Sequence, residues 1–244
     1  MIELRVLVKK NLKGYKLIEG FPGIGLVGAI SASYLAEKLK MEQIAYLYSE
    51  KFPPMASIHN GIPTYPVRMY ADHKNKIVVL YSDFVIPANA VYEVTNEIFS
   101  FVKKSGISEI ISLAGMTSTF ITEEKQIFAI ATDEKLKKKL GAFGIKFVQE
   151  GVTTGVSGML LAKCAMEKIP AFSLLVESAA GYPDPGAAAL LLKKLGEYLG
   201  ITIETKSLEE EAKNIQERIQ KTLEQIRMGK AKYKQAEEHL PMYG

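Results

Sequence analysis

Phe172-Ser173-Leu174-Leu175-Val176 is the stretch on which the fold turns. It is a continuous apolar run, without the apolar–polar alternation of a strand that keeps one face in water. Such a run suits a central strand covered on both faces. Ile77-Val78-Val79-Leu80 has the same character. Two strands of this kind call for helices on both sides of one sheet.

Working outward, further strands are expected at 5–8, 16–19, 44–48, 77–82, 109–113, 127–131 and 172–176. Helical patterns fall between them at 26–39, 90–104, 134–140, 158–168 and 185–199. Strands that alternate with helices predict an α/β fold, a layered sandwich with a mostly parallel sheet. Thr132-Asp133 supplies an N-cap ahead of the helix at 134. Asp184-Pro185 supplies another, with proline at the first helical position. Residues 52–69 carry Pro53, Pro54, Pro63 and Pro66 and an Asn60-Gly61 turn signal, and read as a long ordered loop or hairpin at the sheet edge.

The chain has 244 residues, of which 48% are hydrophobic, enough for a sizeable core. Its net charge of +4 arises from 31 basic and 27 acidic residues, well mixed, which gives little footing for a polyanion partner. The densest basic run, Lys135-Leu136-Lys137-Lys138-Lys139-Leu140, has helical leucine spacing and reads as a solvated helix face rather than a nucleic-acid patch. No apolar run reaches the roughly 18 residues of a membrane span. The first residues read as a strand rather than a signal peptide. The single cysteine, Cys164, excludes an internal disulfide. A cytoplasmic protein is expected.

Gly23-Ile24-Gly25-Leu26-Val27-Gly28 matches the G-x-G-x-x-G dinucleotide pattern. In a nucleotide fold the first glycine directly follows the strand, whereas here Phe21-Pro22 intervenes. The block, with Gly20, Gly23, Gly25 and Gly28, reads as an architectural crossing in which glycines let helix and strand approach closely. Gly155-Val156-Ser157-Gly158-Met159 resembles a nucleophile elbow, with Met159 where the last glycine belongs. Of the three histidines, His59, His73 and His239, only the last follows the serine, so a hydrolase triad is not expected. No metal-ligand spacing is visible, and no cofactor is expected. Asp83, Glu177 and the polar residues Thr117, Ser118 and Thr119 fall after strands, where α/β proteins place ligand sites; they also suit simple turn capping.

At Ser207 the composition turns charged and polar. Ser207 and Glu210 form a capping box, and Leu208, Ala212, Ile215, Ile219, Leu223 and Ile226 recur at steps of three and four. This predicts a long C-terminal helix over 206–239, about 50 Å if continuous, weakened at Gly229. It would pack on its own body near the root, or on copies of itself. Residues 1–205 then form the α/β core, and 240–244 a tail. Pro241 ends the helix and frees Met242-Tyr243-Gly244. An apolar anchor, an aromatic with a polar tip and a carboxylate suit a pocket with a basic residue at its base.

Gly20-Phe21-Pro22-Gly23-Ile24-Gly25-Leu26-Val27-Gly28, Gly155-Val156-Ser157-Gly158 and Ala180-Gly181-Tyr182-Pro183-Asp184-Pro185-Gly186-Ala187-Ala188 together resemble signature blocks of the proteasome assembly chaperone family, in its archaeal branch. The resemblance spans most of residues 1–205, and the long helix and its ending resemble the family's C-terminal extension. It implies a nucleoside phosphorylase-like fold without the phosphorylase active site, and no catalytic residues. It also implies a homo-oligomer whose tails dock on the α-ring of the 20S proteasome. Met242 would be the hydrophobic position, Tyr243 the tyrosine and Gly244 the carboxylate of a hydrophobic-Tyr-X motif, acting in assembly or gate opening. Two alternatives stand beside this. One is an enzyme, either nucleoside phosphorylase-like or an ATP-dependent carboxylate–amine ligase. The other is a scaffold that assembles through its helices with another protein of the same family.

Overall fold

The computed structural model describes residues 2–8, 10–117, 125–178, 182–208 and 210. The first half runs β1 (Ile2–Val6), β2 (Lys16–Gly20), α1 (Val27–Lys38), β3 (Glu42–Ser49), β4 (Ser57–His59), β5 (Ile62–Thr64), β6 (Val67–Asp72), β7 (Ile77–Ser82) and α2 (Val91–Ser105). The second half runs β8 (Glu109–Met116), β9 (Ile127–Ala131), α3 (Glu134–Gly141), β10 (Lys146–Phe147), α4 (Gly155–Met166), β11 (Ala171–Glu177) and α5 (Pro185–Leu199).

Nine strands form one sheet in the order β1-β3-β6-β7-β2-β8-β11-β9-β10. Its centre, β7-β2-β8-β11, is parallel throughout. Antiparallel pairs extend it on both sides: β6, β3 and β1 beyond β7, and β9 beyond β11. The continuous apolar strands β7 and β11 lie in the parallel centre, where helices shield both faces. One face packs Ile18, Val79, Ile111, Phe172 and Leu174 against α1, α3 and α5. The other packs Leu17, Val78, Leu80 and Ile110 against α2 and α4. The fold is a three-layer α/β sandwich.

The local signals act as physical chemistry requires. Asp133 and Asp184 cap α3 and α5, accepting from the backbone N–H of Leu136 and Ala187 at 2.8 and 2.9 Å. Gly200, left-handed at φ +69°, ends α5, and Ile201 N–H returns to Gly196 O at 3.0 Å.

The segment 52–69 differs from its sequence reading. Part of it is a hairpin, β4–β5, but Val67 opens β6, an interior strand between β3 and β7 with Val67 and Met69 fully buried. The flanking Pro66 and the charge on Arg68 disguised it. Arg68 is only 5% exposed because Asp83 neutralises it inside the fold. β10, two residues long, was likewise absent from the sequence reading.

Past α5 the connector returns to the body. Leu208, helical and fully buried, joins the core beneath α1 and α5. The remaining seam positions Ala212, Ile215, Ile219, Leu223 and Ile226 lie outside the described residues, as do Met242, Tyr243 and Gly244.

Candidate functional site at the carboxyl edge of the parallel strands

Two loops meet where β2, β8 and β11 end, and a buried carboxyl lies close by. The first runs from β2 into α1. Gly20 and Gly28 face each other so closely that a Cβ on Gly20 would lie 2.0 Å from Gly28 O. A Cβ on Gly28 would meet Leu113 O at 2.2 Å. Between them Gly25 and Leu26 are both left-handed, at φ +60° and +51°. That conformation is ordinary for glycine and strained for leucine. Gly23 is open, with its nearest neighbour 4.0 Å from an added Cβ.

The second loop locks onto the first. Asp184 N–H donates to Gly25 O at 2.8 Å, and Ser178 Oγ donates to Asp184 Oδ2 at 2.9 Å. Lys125 Nζ pairs with the same carboxylate. Burial works against the Asp184 anion, but Lys125, the Ala187 N–H and the Ser178 hydroxyl outweigh it and hold its pKa below the usual value. A Cβ on Gly25 would lie 2.1 Å from Ser178 Oγ, and one on Gly115 would lie 2.3 Å from Ile24 O. In a dinucleotide site the glycines make room for pyrophosphate. Here Gly25 and Gly28 make room for the protein itself.

The third contact is a buried carboxyl that the sequence reading missed. Glu19, on β2, is fully buried, and Ser157 Oγ in the first turn of α4 donates to its Oε2 at 3.0 Å. Its Oε1 has no hydrogen-bond partner among the described residues. Burial raises its pKa to about 7, against the Ser112 and Ser157 hydroxyls, which favour the anion. Glu19 stands in register with Ser112, and Ser112 with Ser173, so a polar row crosses three central strands. The available signal was one acidic residue directly after Leu17-Ile18, near the end of a short strand.

Beside this edge lies a second buried charge. Arg68 Nη2 donates to Asp83 Oδ2 at 2.7 Å and to Tyr81 OH at 3.3 Å, and its guanidinium stacks over the Tyr81 ring at 5.0 Å. Ser57 Oγ also donates to Asp83. Asp83 is thus drawn into a structural ion pair. Glu177 Oε2 accepts from the Gln126 N–H at 2.9 Å. Thr117 is exposed; Ser118 and Thr119 lie outside the described residues.

The chemistry of this edge is that of a latch. Ser157 is bonded to a carboxyl rather than an imidazole. His73 sits on the opposite edge, bonded to Tyr15 OH at 3.0 Å and Glu42 at 3.2 Å, and His59 lies in the β4–β5 hairpin. Among the described residues no group of three or more His, Cys, Asp or Glu is placed to hold a metal. No described helix is long and apolar enough to cross a membrane.

Comparison with known proteins places this geometry. Pyrococcus furiosus PbaA, an archaeal homolog of proteasome-assembly chaperone, is 34% identical with a TM-score of 0.84, over 94% of this chain and 100% of its own. P. furiosus PbaB, an archaeal proteasome activator, is 27% identical with a TM-score of 0.75, over 90% and 98%. An uncharacterized protein of Methanocaldococcus jannaschii is 30% identical over 209 residues, 86% of this chain and 85% of that one. The sequence pattern of the PAC2 family matches residues 17–223, which takes in both loops of the latch, and the chain belongs to that family.

Proposed function

We propose that this chain is a non-enzymatic proteasome assembly chaperone-like protein of archaeal type. In this reading its α/β bodies self-associate. The segment Met242-Tyr243-Gly244 docks on the α-ring of the 20S proteasome, aiding assembly or opening the gate. The observation that carries the reading is the likeness to PbaA over nearly the whole of both chains, with PbaB beside it. The protein-filled latch supports a body that binds no nucleotide at its glycine block. A single three-residue anchor buries little surface, and several tails on one oligomer gain roughly 10²–10⁴-fold in avidity without new contacts.

Native mass spectrometry with archaeal 20S proteasome tests this directly, comparing the full chain with one lacking residues 242–244. A complex formed by the full chain alone is expected. Equal binding by both would remove the tail from the mechanism, and no complex with either would remove the proteasome.

A further inference from the structure

The connector that follows α5, up to Leu208, is fastened to the body by several contacts. Tyr34 on α1 is fully buried, and its hydroxyl donates to Glu204 O at 2.7 Å and lies 3.4 Å from Ser207 Oγ. One turn later Lys38 Nζ donates to Ser207 Oγ at 2.9 Å and sits 5.7 Å from the Tyr34 ring centroid. Leu208, fully buried, plugs into the core directly beyond them. Upstream, Ile203 packs where Gly196 leaves space, within 3.5 Å of a Cβ built there. Lys206 N–H donates to Glu204 Oε1 at 3.2 Å, and Leu208 N–H to Thr205 O at 3.0 Å.

A linker needing only reach would be glycine- or serine-rich and solvated. This one contributes Ile203 and Leu208 to the body and aims its polar groups at α1. A buried tyrosine hydroxyl held to a backbone carbonyl fixes the position of that carbonyl. The lysine then fixes Ser207, directly before the buried Leu208. Stapling of this kind reduces the orientations available to whatever follows.

The geometry points to Tyr34, Lys38 and Ser207 as positioning residues, a clamp that sets the direction in which the C-terminal segment leaves the body and so preorganises the tails of an oligomer for simultaneous docking. This rests on the docking reading above. Effective concentration is highest when tail geometry matches the spacing of the sites, and preorganised tails lose less entropy on binding.

The test uses the full chain with Tyr34→Phe combined with Lys38→Met, substitutions that keep the buried ring and the aliphatic stem. Hydrogen exchange of the amides over 203–208 reads the clamp, and affinity for 20S proteasome reads its use. Exchange about tenfold faster and ring binding about tenfold weaker are expected, with oligomer mass and melting temperature of the body unchanged. Lys38→Arg alone, which keeps a donor, should bind like the parent. Unchanged exchange would overturn the clamp, and faster exchange with unchanged affinity would overturn its positioning role. Absence of ring binding by the unaltered chain would instead overturn the docking reading, and exchange alone would then decide the clamp.

Discussion

Ser157 Oγ and Glu19 Oε2 lie 3.0 Å apart, 138 residues distant in sequence, and join the first turn of α4 to the middle of the sheet. The pair replaces what the sequence around Ser157 suggests, a nucleophile at a turn. With a carboxyl as partner in a fully buried setting, the serine is a donor to a group that burial holds near neutrality.

That carboxyl makes stability pH-dependent in a definite direction. Its folded pKa of about 7 stands above the ordinary 4.5. Between these values the unfolded chain ionises while the folded chain keeps its proton, so stability falls as pH rises through this window and is level above it. The loss is roughly 3 kcal/mol at 1.36 kcal/mol per unit. Glu19→Gln should remove this loss, so that it is more stable than the parent at pH 8 and comparable at pH 4. Urea midpoints across that range check it, and a constant difference between the two proteins would count against it.

The glycine block separates into residues that are needed for space and one that is not. Gly28→Ala drives a Cβ to 2.2 Å from Leu113 O, a backbone atom that cannot step aside. A cost of roughly 3 kcal/mol is expected, in the range of overpacking and displaced backbone. Gly23→Ala, with nothing nearer than 4.0 Å, should cost about 1 kcal/mol or less. Thermal unfolding of both variants decides, and equal effects would show that the crossing is looser than its geometry.

How much of this was legible follows from which forces act locally. β7 and β11 declared themselves because burial on both faces leaves an apolar run. Asp133 and Asp184 did so because capping is a contact three residues away. Glu19 and Arg68 did not, because an ionisable group inside a sheet is satisfied by partners far along the chain, a hydroxyl from Ser157 for the one and the Asp83 carboxylate for the other, and no local pattern announces them. The pairing of Gly25 with Asp184 was hidden for the same reason. The expected tail residues Met242, Tyr243 and Gly244 lie outside the described residues.

The ion pair of Arg68 and Asp83 supplies a test of that argument. Arg68→Met removes one buried partner and leaves Asp83 with Ser57 alone among the described side chains bonded to it, at an expected cost of about 3 kcal/mol. Adding Asp83→Asn should recover part of it, since no charge is then stranded. A double-mutant cycle by denaturant unfolding measures the coupling, and strict additivity would mean the pair does not act as a unit.

The filled latch bears on ligands. Ser178 Oγ and Asp184 occupy the approach to Gly25, and Ile24 O the approach to Gly115, so pyrophosphate would meet side chains and a carbonyl oxygen there. Thermal shift with ATP, nucleosides and inorganic phosphate should therefore be flat. A ligand at a hundredfold its dissociation constant would stabilise the fold by about 2.7 kcal/mol, a shift easily seen. A clear response to any of them would revive the enzymatic alternative.

Tail number gives the sharpest prediction for the proposed role. If each Met242-Tyr243-Gly244 binds weakly and the oligomer binds through several at once, affinity must fall faster than the fraction of intact tails. Full chain co-assembled with Tyr243→Ala chain in graded proportions should lose ring binding steeply once few intact tails remain per particle, and Tyr243→Ala throughout should abolish it. A linear decline would mean that each tail acts alone, and avidity would then contribute nothing. Binding by the all-Tyr243→Ala oligomer equal to the parent's would place the contact on the α/β body, where the exposed side chains of Ile58, Ile62 and Tyr65 would be the first to replace.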